Sequence, residues 1–392
     1  MSAPKPDTGP VDVVSVPEPA GPLTVLVLPA WYPTAQQPLN GPFVRDHARA
    51  AAAYGHRIVV LVDEGPSEEV RALFTLREEQ DGDLRVVRLS WRPSAGRVAY
   101  LLGVLLVARR LARDGTPVDV LHAHIHRMGW PAVLAGRVLR RPVVISEHSS
   151  EWPRRLLTPA ALRRARIAFP RAALVCPVSR HLRRAIESYG VRARFRVVTN
   201  TVDVGVFHPP RQMPTRPPTR LINVALHVEV KALDVLLRAF ASLVERRGAL
   251  TLELIGEGPL TPDLRGLAEE LGVTEHVRFV GTATPEQIAV ALGAAHIFVL
   301  SSLSENMPLS VLEALCCGLP VVATDVGGVA EAVEAGAGVL ASPGDAEALA
   351  VAIETVLDGY ESFDRAGIAR RAAARWSFQS VGGTWDEIYR SL

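Results

Sequence analysis

The sequence predicts an α/β protein of two doubly wound domains, each built on a parallel sheet. Short apolar, β-branched runs alternate with longer stretches of helical periodicity, the pattern of repeated βα units. The chain has 392 residues, more than one hydrophobic core usually serves. Between two such series lies PPRQMPTRPP, residues 209–218, which is proline-rich, polar and without periodicity.

In the first series, strands are expected near Leu23–Leu28, Arg57–Val62, Leu84–Leu89, Val118–His122, Pro142–Glu147, Leu174–Pro177 and Arg196–Thr199. Helical spacers fall at Phe43–Tyr54, Val98–Asp114, Trp130–Arg140 and Ser179–Tyr189. The second series places strands near Leu221–Leu226, Leu250–Ile255, Val277–Val280, Ile297–Leu300, Val321–Ala323 and Gly338–Leu340. A mobile tail over 1–21, a first domain over 22–208, a linker over 209–219 and a second domain over 220–375 follow from this pattern.

Hydrophobic residues make up 48% of the chain and charged residues 21%, which is the composition of a folded globular protein. The cysteines Cys176, Cys316 and Cys317 sit in apolar runs without the spacing of a disulfide framework or a zinc site. The start carries Asp7, Asp12 and Glu18 among prolines and does not read as a signal peptide. The longest apolar run, Val98 to Ala108, is far shorter than the roughly 20 residues that cross a bilayer. Charge is uneven: residues 137–196 hold fifteen arginines against Glu147, Glu151 and Glu187. Arginine-rich stretches at Arg154–Arg171 and Arg180–Arg184 are either a solvated basic face or a dock for anionic lipid or an acidic acceptor. A cytoplasmic location, with peripheral contact at the inner face of a membrane, is the expectation; no nucleic-acid partner is expected.

Ligands of open parallel sheets bind beyond the carboxyl ends of the strands, so the cleft between the two domains is the expected site. The densest signal is SSLSENMPLSVLEALCCGLPVVATDVGG, which opens just after the strand Ile297–Leu300. Pro308 marks a helix start, and Gly318 with Pro320 marks its end. Backbone amides near Leu309 and Ser310 are then free at a helix N-terminus, where the macrodipole favours a diphosphate. Glu313 lies about 8 Å further along the axis, a reach suited to a ribose. Glu305 precedes the helix and points into the cleft. A buried helix with one capping and one exposed glutamate is the structural alternative.

Glu305 and Glu313, followed by ALCCGLPVVATDVGG, resemble the E-x7-E signature of retaining glycosyltransferases of family 4, which have the two-domain GT-B fold. The resemblance extends through LVLPAWYPTAQQPLNGPFVRDHARAAAAYGHRIVVL, VDVLHAHIHRMGWPAVLAG, VVISEHSS, ALVCPVSRHLRRAI and RVVTNTVDVGVFHP, in the family's order. WSFQSVGGTWDEIYRSL resembles the closing helices of the family, which implies that residues 376–392 pack back on the first domain. The resemblance implies that Glu313 binds the donor ribose and that Glu305 contacts the transferred sugar. It further implies that amides around Met307, Pro308, Leu309 and Ser310 hold sugar hydroxyls and phosphate, and that Lys231 neutralises the diphosphate. His148 matches the family's active-site histidine, so the candidate catalytic set is Glu305, His148 and Lys231.

Gly41, in Asn40-Gly41-Pro42-Phe43, lets the backbone approach the donor phosphate or acceptor, with Asn40 and Phe43 on the acceptor side. His122, His124 and His126 alternate along a strand end and read mainly as packing residues, with His124 facing the cleft. Asn200 and Asp203 read as turn residues, and Asp81-Gly82-Asp83 as a polar turn with no metal implied. The chain departs from the family where an arginine is usual before the lysine: Ala225 and Leu226 stand there, and Ala232 replaces the common glycine. The expected reaction transfers a hexosyl-type group from a nucleotide-diphosphate sugar, such as a UDP- or GDP-sugar, to an acceptor hydroxyl, without a cofactor. The alternatives are a sugar-nucleotide-binding protein with little or no turnover, or an isomerase or phosphorylase on the same scaffold.

Overall fold

The computed structural model of the protein describes residues 21–34, 37, 40–212, 214–217 and 219–392. All but Gly21 of the expected tail, and Met213 and Pro218 of the expected linker, lie outside the described residues. The first half contains β1 (Thr24–Pro29), α1 (Pro42–Ala53), β2 (Arg57–Pro66), β3 (Phe74–Asp81), β4 (Leu84–Trp91), α2 (Gly96–Arg113), β5 (Val120–His124), α3 (His126–Leu139), β6 (Val143–Glu147), α4 (Pro159–Ala168), β7 (Leu174–Pro177) and α5 (Arg180–Ser188). Its seven strands run in the order β3-β4-β2-β1-β5-β6-β7, parallel except for β3.

The second half contains β8 (Thr219–Val224), α6 (Leu233–Arg247), β9 (Leu250–Ile255), α7 (Thr261–Glu270), β10 (Val277–Gly281), α8 (Pro285–Ala294), β11 (Ile297–Leu300), α9 (Leu309–Cys316), β12 (Val321–Thr324), α10 (Val329–Ala332), β13 (Gly338–Ala341), α11 (Ala346–Asp358), α12 (Arg365–Trp376) and α13 (Phe378–Arg390). Its sheet is wholly parallel, ordered β10-β9-β8-β11-β12-β13, with the order reversing between β8 and β11. That reversal opens a crevice at the strand ends, where the loop before α9 sits. The architecture is the GT-B fold. No helix among the described residues is long and apolar enough to cross a membrane.

Two departures from the sequence reading have physical causes. β3, not expected, pairs antiparallel with β4 through Gly82-Asp83, where Gly82 supplies a left-handed corner at φ 60°. Its sequence, FTLREEQD, is that of a half-exposed edge strand, so it lacks the apolar run that marks the others. Arg196–Thr199 is not a strand; the neighbouring Phe195 forms one isolated bridge to Val175 and the chain then turns toward the second domain.

One face of the first sheet, through Val25, Val27 and Val60, packs against α1 and the fully buried Trp385 of α13. The C-terminal helix therefore completes the first domain's core. Where the chain crosses back, Val202 N–H and Thr201 Oγ1 both donate to the Trp376 carbonyl at 2.7 and 2.8 Å, so the two interdomain crossings run side by side.

The turn from β8 to α6 ends at Ala232, which is buried and held in the left-handed region at φ 45°, ψ 48°. An L-residue there is strained by about 1–2 kcal/mol. We expect Ala232→Gly to raise stability by about 0.5–1 kcal/mol, since glycine loses more entropy on folding but relieves the strain. A shift of the urea midpoint to higher concentration is the expected readout, and a lower midpoint would show that the strain is absent.

Candidate active site

On the second domain, β11 ends at Leu300 and delivers a loop that runs to Pro308, the N-cap of α9. Among the described residues no side chain caps this helix, and the amides of Leu309 and Ser310 have no partner there from a capping residue or the preceding turn. The loop's path is set by glycine. A Cβ at Gly327 would fall 1.6 Å from the Glu305 carbonyl oxygen, and one at Gly328 would fall 2.0 Å from that of Asn306. Thr324 Oγ1 donates to the Ser302 carbonyl at 2.6 Å and fixes the same loop from β12.

Within this frame Lys231 Nζ lies 2.5 Å from Glu305 Oε1, which also accepts from Ser302 Oγ at 2.8 Å. Ser301 Oγ in turn donates to the Lys231 carbonyl. Glu313, on α9, has no such cation among the described residues. Burial pushes its carboxyl up to about 8, and the Asp46 carboxylate of α1 adds to the shift. Burial likewise raises Asp46 to about 6, against the pull of Arg45 and Arg49.

Across the cleft, register brings Pro29, His124 and Ser146 level at the strand ends of β1, β5 and β6. His122 and His124 stack at 4.4 Å, His124 and His148 at 5.5 Å, and Phe43 lies 4.4 Å over His148. Burial lowers the pKa of all four clustered histidines: His47 to about 4, His122 to about 3, and His124 and His148 well below the usual value. They are neutral at physiological pH. Trp385 Nε1–H donates to His47 Nδ1 at 3.0 Å, so the neutral His47 ring carries its proton on Nε2. His122 is held by Tyr389 and Ser146 at 2.7 and 2.8 Å.

Both ring nitrogens of His148 and of His124, His47 Nε2, Asn200 Oδ1 and Asn306 Oδ1 are buried without a hydrogen-bond partner. Asn200 lies beside His47 and His148 and favours their protonated forms, yet its carbonyl oxygen meets neither ring at hydrogen-bond geometry. So many orphaned groups in one place are costly unless a ligand's hydroxyls complete them. The amide ends of the two asparagines bridge the domains: Asn200 Nδ2 donates to the Met307 carbonyl at 2.8 Å, and Asn306 Nδ2 to the His148 carbonyl at 2.7 Å.

Two family descriptions match consecutive parts of the chain: Glycosyltransferase Family 4 over residues 41–206, and Glycosyl transferases group 1 over 213–373. The chain belongs to glycosyltransferase family 4. Among curated relatives of this family 4 chain, a D-inositol 3-phosphate glycosyltransferase of Corynebacterium urealyticum is 34% identical over 51% of the chain and 52% of its own length. An amylovoran biosynthesis glycosyltransferase of Erwinia amylovora is 28% identical over 63% of the chain and 59% of its own length. The chain thus matches little more than half the length of these relatives. Among solved structures, HepE of Anabaena in complex with UDP superposes with a TM-score of 0.73, at 21% identity, over 94% of this chain and 100% of that one.

For this family 4 protein, the structure brings Glu305, Lys231, Met307, Pro308, Leu309 and Ser310 together on one wall, and His148 and Phe43 on the other side, with Glu313 behind the α9 N-terminus and Asn40 in the loop that leads into α1, where its backbone amide donates to the Gln37 carbonyl. Gly41 caps α1 at φ 75°, and its missing Cβ faces the Trp31 backbone, 2.7 Å from the carbonyl oxygen. The close approach that requires glycine is therefore to Trp31. His124 does not face open cleft; it is 0% exposed beneath His148, because β5 is covered on both faces. His126 is not on the strand at all: it opens α3 and lies 3.3 Å from both Glu147 and Glu151. Asp81 is engaged by Tyr32 and Arg49 in its turn. At the departure from the family pattern, Leu226 is exposed and His227 bonds Thr261, so these positions supply no cation; Arg265 lies near enough to His227 to act on it electrostatically.

Sequence reasoning missed His47, Glu147, Asn306 and the bridging role of Asn200. His47 lies four residues after Phe43 on α1, and that helical spacing could have found it. Glu147, fully buried, accepts from the amides of His126, His148 and Ser149 at 2.7, 3.0 and 2.8 Å and so sets the path on which His148 sits.

The raised Glu313 pKa gives a signed pH prediction. Between the unfolded value of 4.5 and about 8, the unfolded chain releases this proton and the folded one keeps it, so stability falls as pH rises through that window. Glu313→Gln should therefore melt higher than the parent at pH 8, with the gap closing toward pH 4.5. A gap independent of pH would mean that Glu313 titrates normally.

Proposed function

We propose that this chain transfers a hexosyl-type group from a nucleoside-diphosphate sugar to an acceptor hydroxyl, with retention of anomeric configuration and without a metal. The observation that carries the reading is the Lys231–Glu305 pair beside the uncapped start of α9, facing a cluster of neutral histidines. The pair is a resting arrangement: the incoming diphosphate takes the Lys231 ammonium, and Glu305 turns to the hydroxyls of the transferred sugar. The amides of Leu309 and Ser310 and the Lys231 ammonium then balance the charge that develops as the bond from the anomeric carbon to phosphate breaks. The acceptor hydroxyl attacks from the same face and gives its proton to the departing phosphate oxygen, so no protein base is consumed. His148, neutral and unpartnered, orients sugar or acceptor hydroxyls rather than moving protons. Glu313 accepts from the ribose. UDP is the first nucleotide to test, since HepE of Anabaena has been solved with it. The location proposed is cytoplasmic.

Lys231→Ala should weaken UDP binding by roughly tenfold to a hundredfold, the worth of a hydrogen bond to a charged group, and Glu313→Ala by roughly threefold to tenfold, the worth of a neutral one. Glu305→Ala should lower kcat while nucleotide affinity stays near that of the parent. Titration calorimetry and donor-hydrolysis assays read the two effects, and unchanged values in all three variants would remove the proposed site. The exposed Leu226, in place of a cation, supports one second reading, a nucleotide-binding protein with little turnover. Tight UDP binding with neither transfer nor donor hydrolysis would select it.

A further inference from the structure

Helices α2 and α3 lie side by side on the first domain and share an unusual division. Their outer faces expose Val98 at 63% and Leu102 at 40% near the N-terminal end of α2, and Trp130 at 40%, Leu134 at 37% and Val138 at 58% along the length of α3. The spacing of four along each helix makes two apolar stripes, and a cavity of about 310 Å³ opens between them, lined by Val98, Leu101, Trp130 and Leu134 with Tyr100 and Met128 deeper in. Toward their C-terminal ends the same helices turn basic. Arg137, Arg140, Arg141 and Arg171 ring a second hollow of about 470 Å³, and none of them pairs with a carboxylate among the described residues. Neither α2, α3 nor the adjacent α4 contains an aspartate or glutamate.

The cavity adjoins the candidate site. Arg127 and Ala30 are on its wall; the Arg127 guanidinium lies 5.8 Å over Trp31, Trp31 meets Phe43 edge-on at 6.5 Å, and Phe43 covers His148. Asp63, on the same wall, accepts from Trp91 Nε1 at 2.9 Å, and Arg127 pairs with Glu151, so the cavity itself carries no uncompensated charge among the described residues. Exposed apolar side chains with an aromatic among them, bordered by the unpaired Arg137, Arg140, Arg141 and Arg171, complement one kind of surface, a bilayer with anionic headgroups. We propose that the α2–α3 face docks on such a bilayer, with phosphate headgroups in the arginine hollow and an apolar chain of the acceptor in the cavity between the helices. The acceptor is then a lipid-borne hydroxyl, a conclusion that rests on the transferase reading above, whereas the docking itself does not.

The full chain should sediment with vesicles of phosphatidylcholine and phosphatidylglycerol, and not with phosphatidylcholine alone. Trp130→Ser with Leu134→Ser should weaken that binding by roughly tenfold or more, and Arg137→Gln with Arg140→Gln and Arg141→Gln should remove its dependence on phosphatidylglycerol. UDP affinity in each variant should match the parent, which shows that the fold is intact. Absence of vesicle binding, equal binding to neutral vesicles, or a dimer in sedimentation velocity that Trp130→Ser dissolves would overturn the proposal. Vesicle binding by a chain that binds no nucleotide would instead overturn the transferase reading and leave the docking face standing.

Discussion

The ion pair of Lys231 with Glu305 ties the ends of β8 and β11, the two strands at which the second sheet reverses its order. Both side chains are largely out of water, so each depends on the other and on Ser302 for compensation. That dependence explains why so much nearby backbone is specified: Ser301 holds the Lys231 carbonyl, Thr324 holds Ser302, and Gly327 and Gly328 let a second loop close on Glu305 and Asn306 without a side chain between. A pair assembled from segments 74 residues apart is thereby held at the mouth of α9.

The opposite wall follows another rule. Its histidines lose their charge through burial and stack on one another, on Phe43 and near Trp385, leaving nitrogens with no protein partner. One wall of the cleft thus offers charge and free amides, and the other offers neutral rings. That division suits a ligand with an anionic end and a hydroxyl-bearing end.

Much of this was legible in the sequence, and the reason differs by element. Leu174–Pro177, Leu250–Ile255 and Ile297–Leu300 match the expected strands to the residue, the first and last because buried parallel strands are continuous apolar runs, and the second because Thr251 and Glu253 alternate with buried leucines. β3 was hidden because an edge strand carries charge on a half-wet surface. The loop and helix from Ser301 to Cys316 could be read because capping and periodicity are local. The histidine wall could be read only in part: His148 is identified by the resemblance and His47 lies at helical spacing from Phe43, but that His47, His122 and His148 meet depends on strand register and helix packing. Asn200 reads as a turn residue, and only the folded chain shows its amide reaching Met307, 107 residues away.

The start of α5 is finished by the other domain. Its first amides, those of Arg180 and His181, donate at 2.9 Å to the two carboxylate oxygens of Glu331 on α10, while Ser179 caps the next turn from within. A helix of one lobe thus borrows its terminal anion from the other, like a clasp sewn half to each side of a garment. Without that partner the positive tip would meet solvent, so dissolved anions and ionic strength compete directly with Glu331 for it.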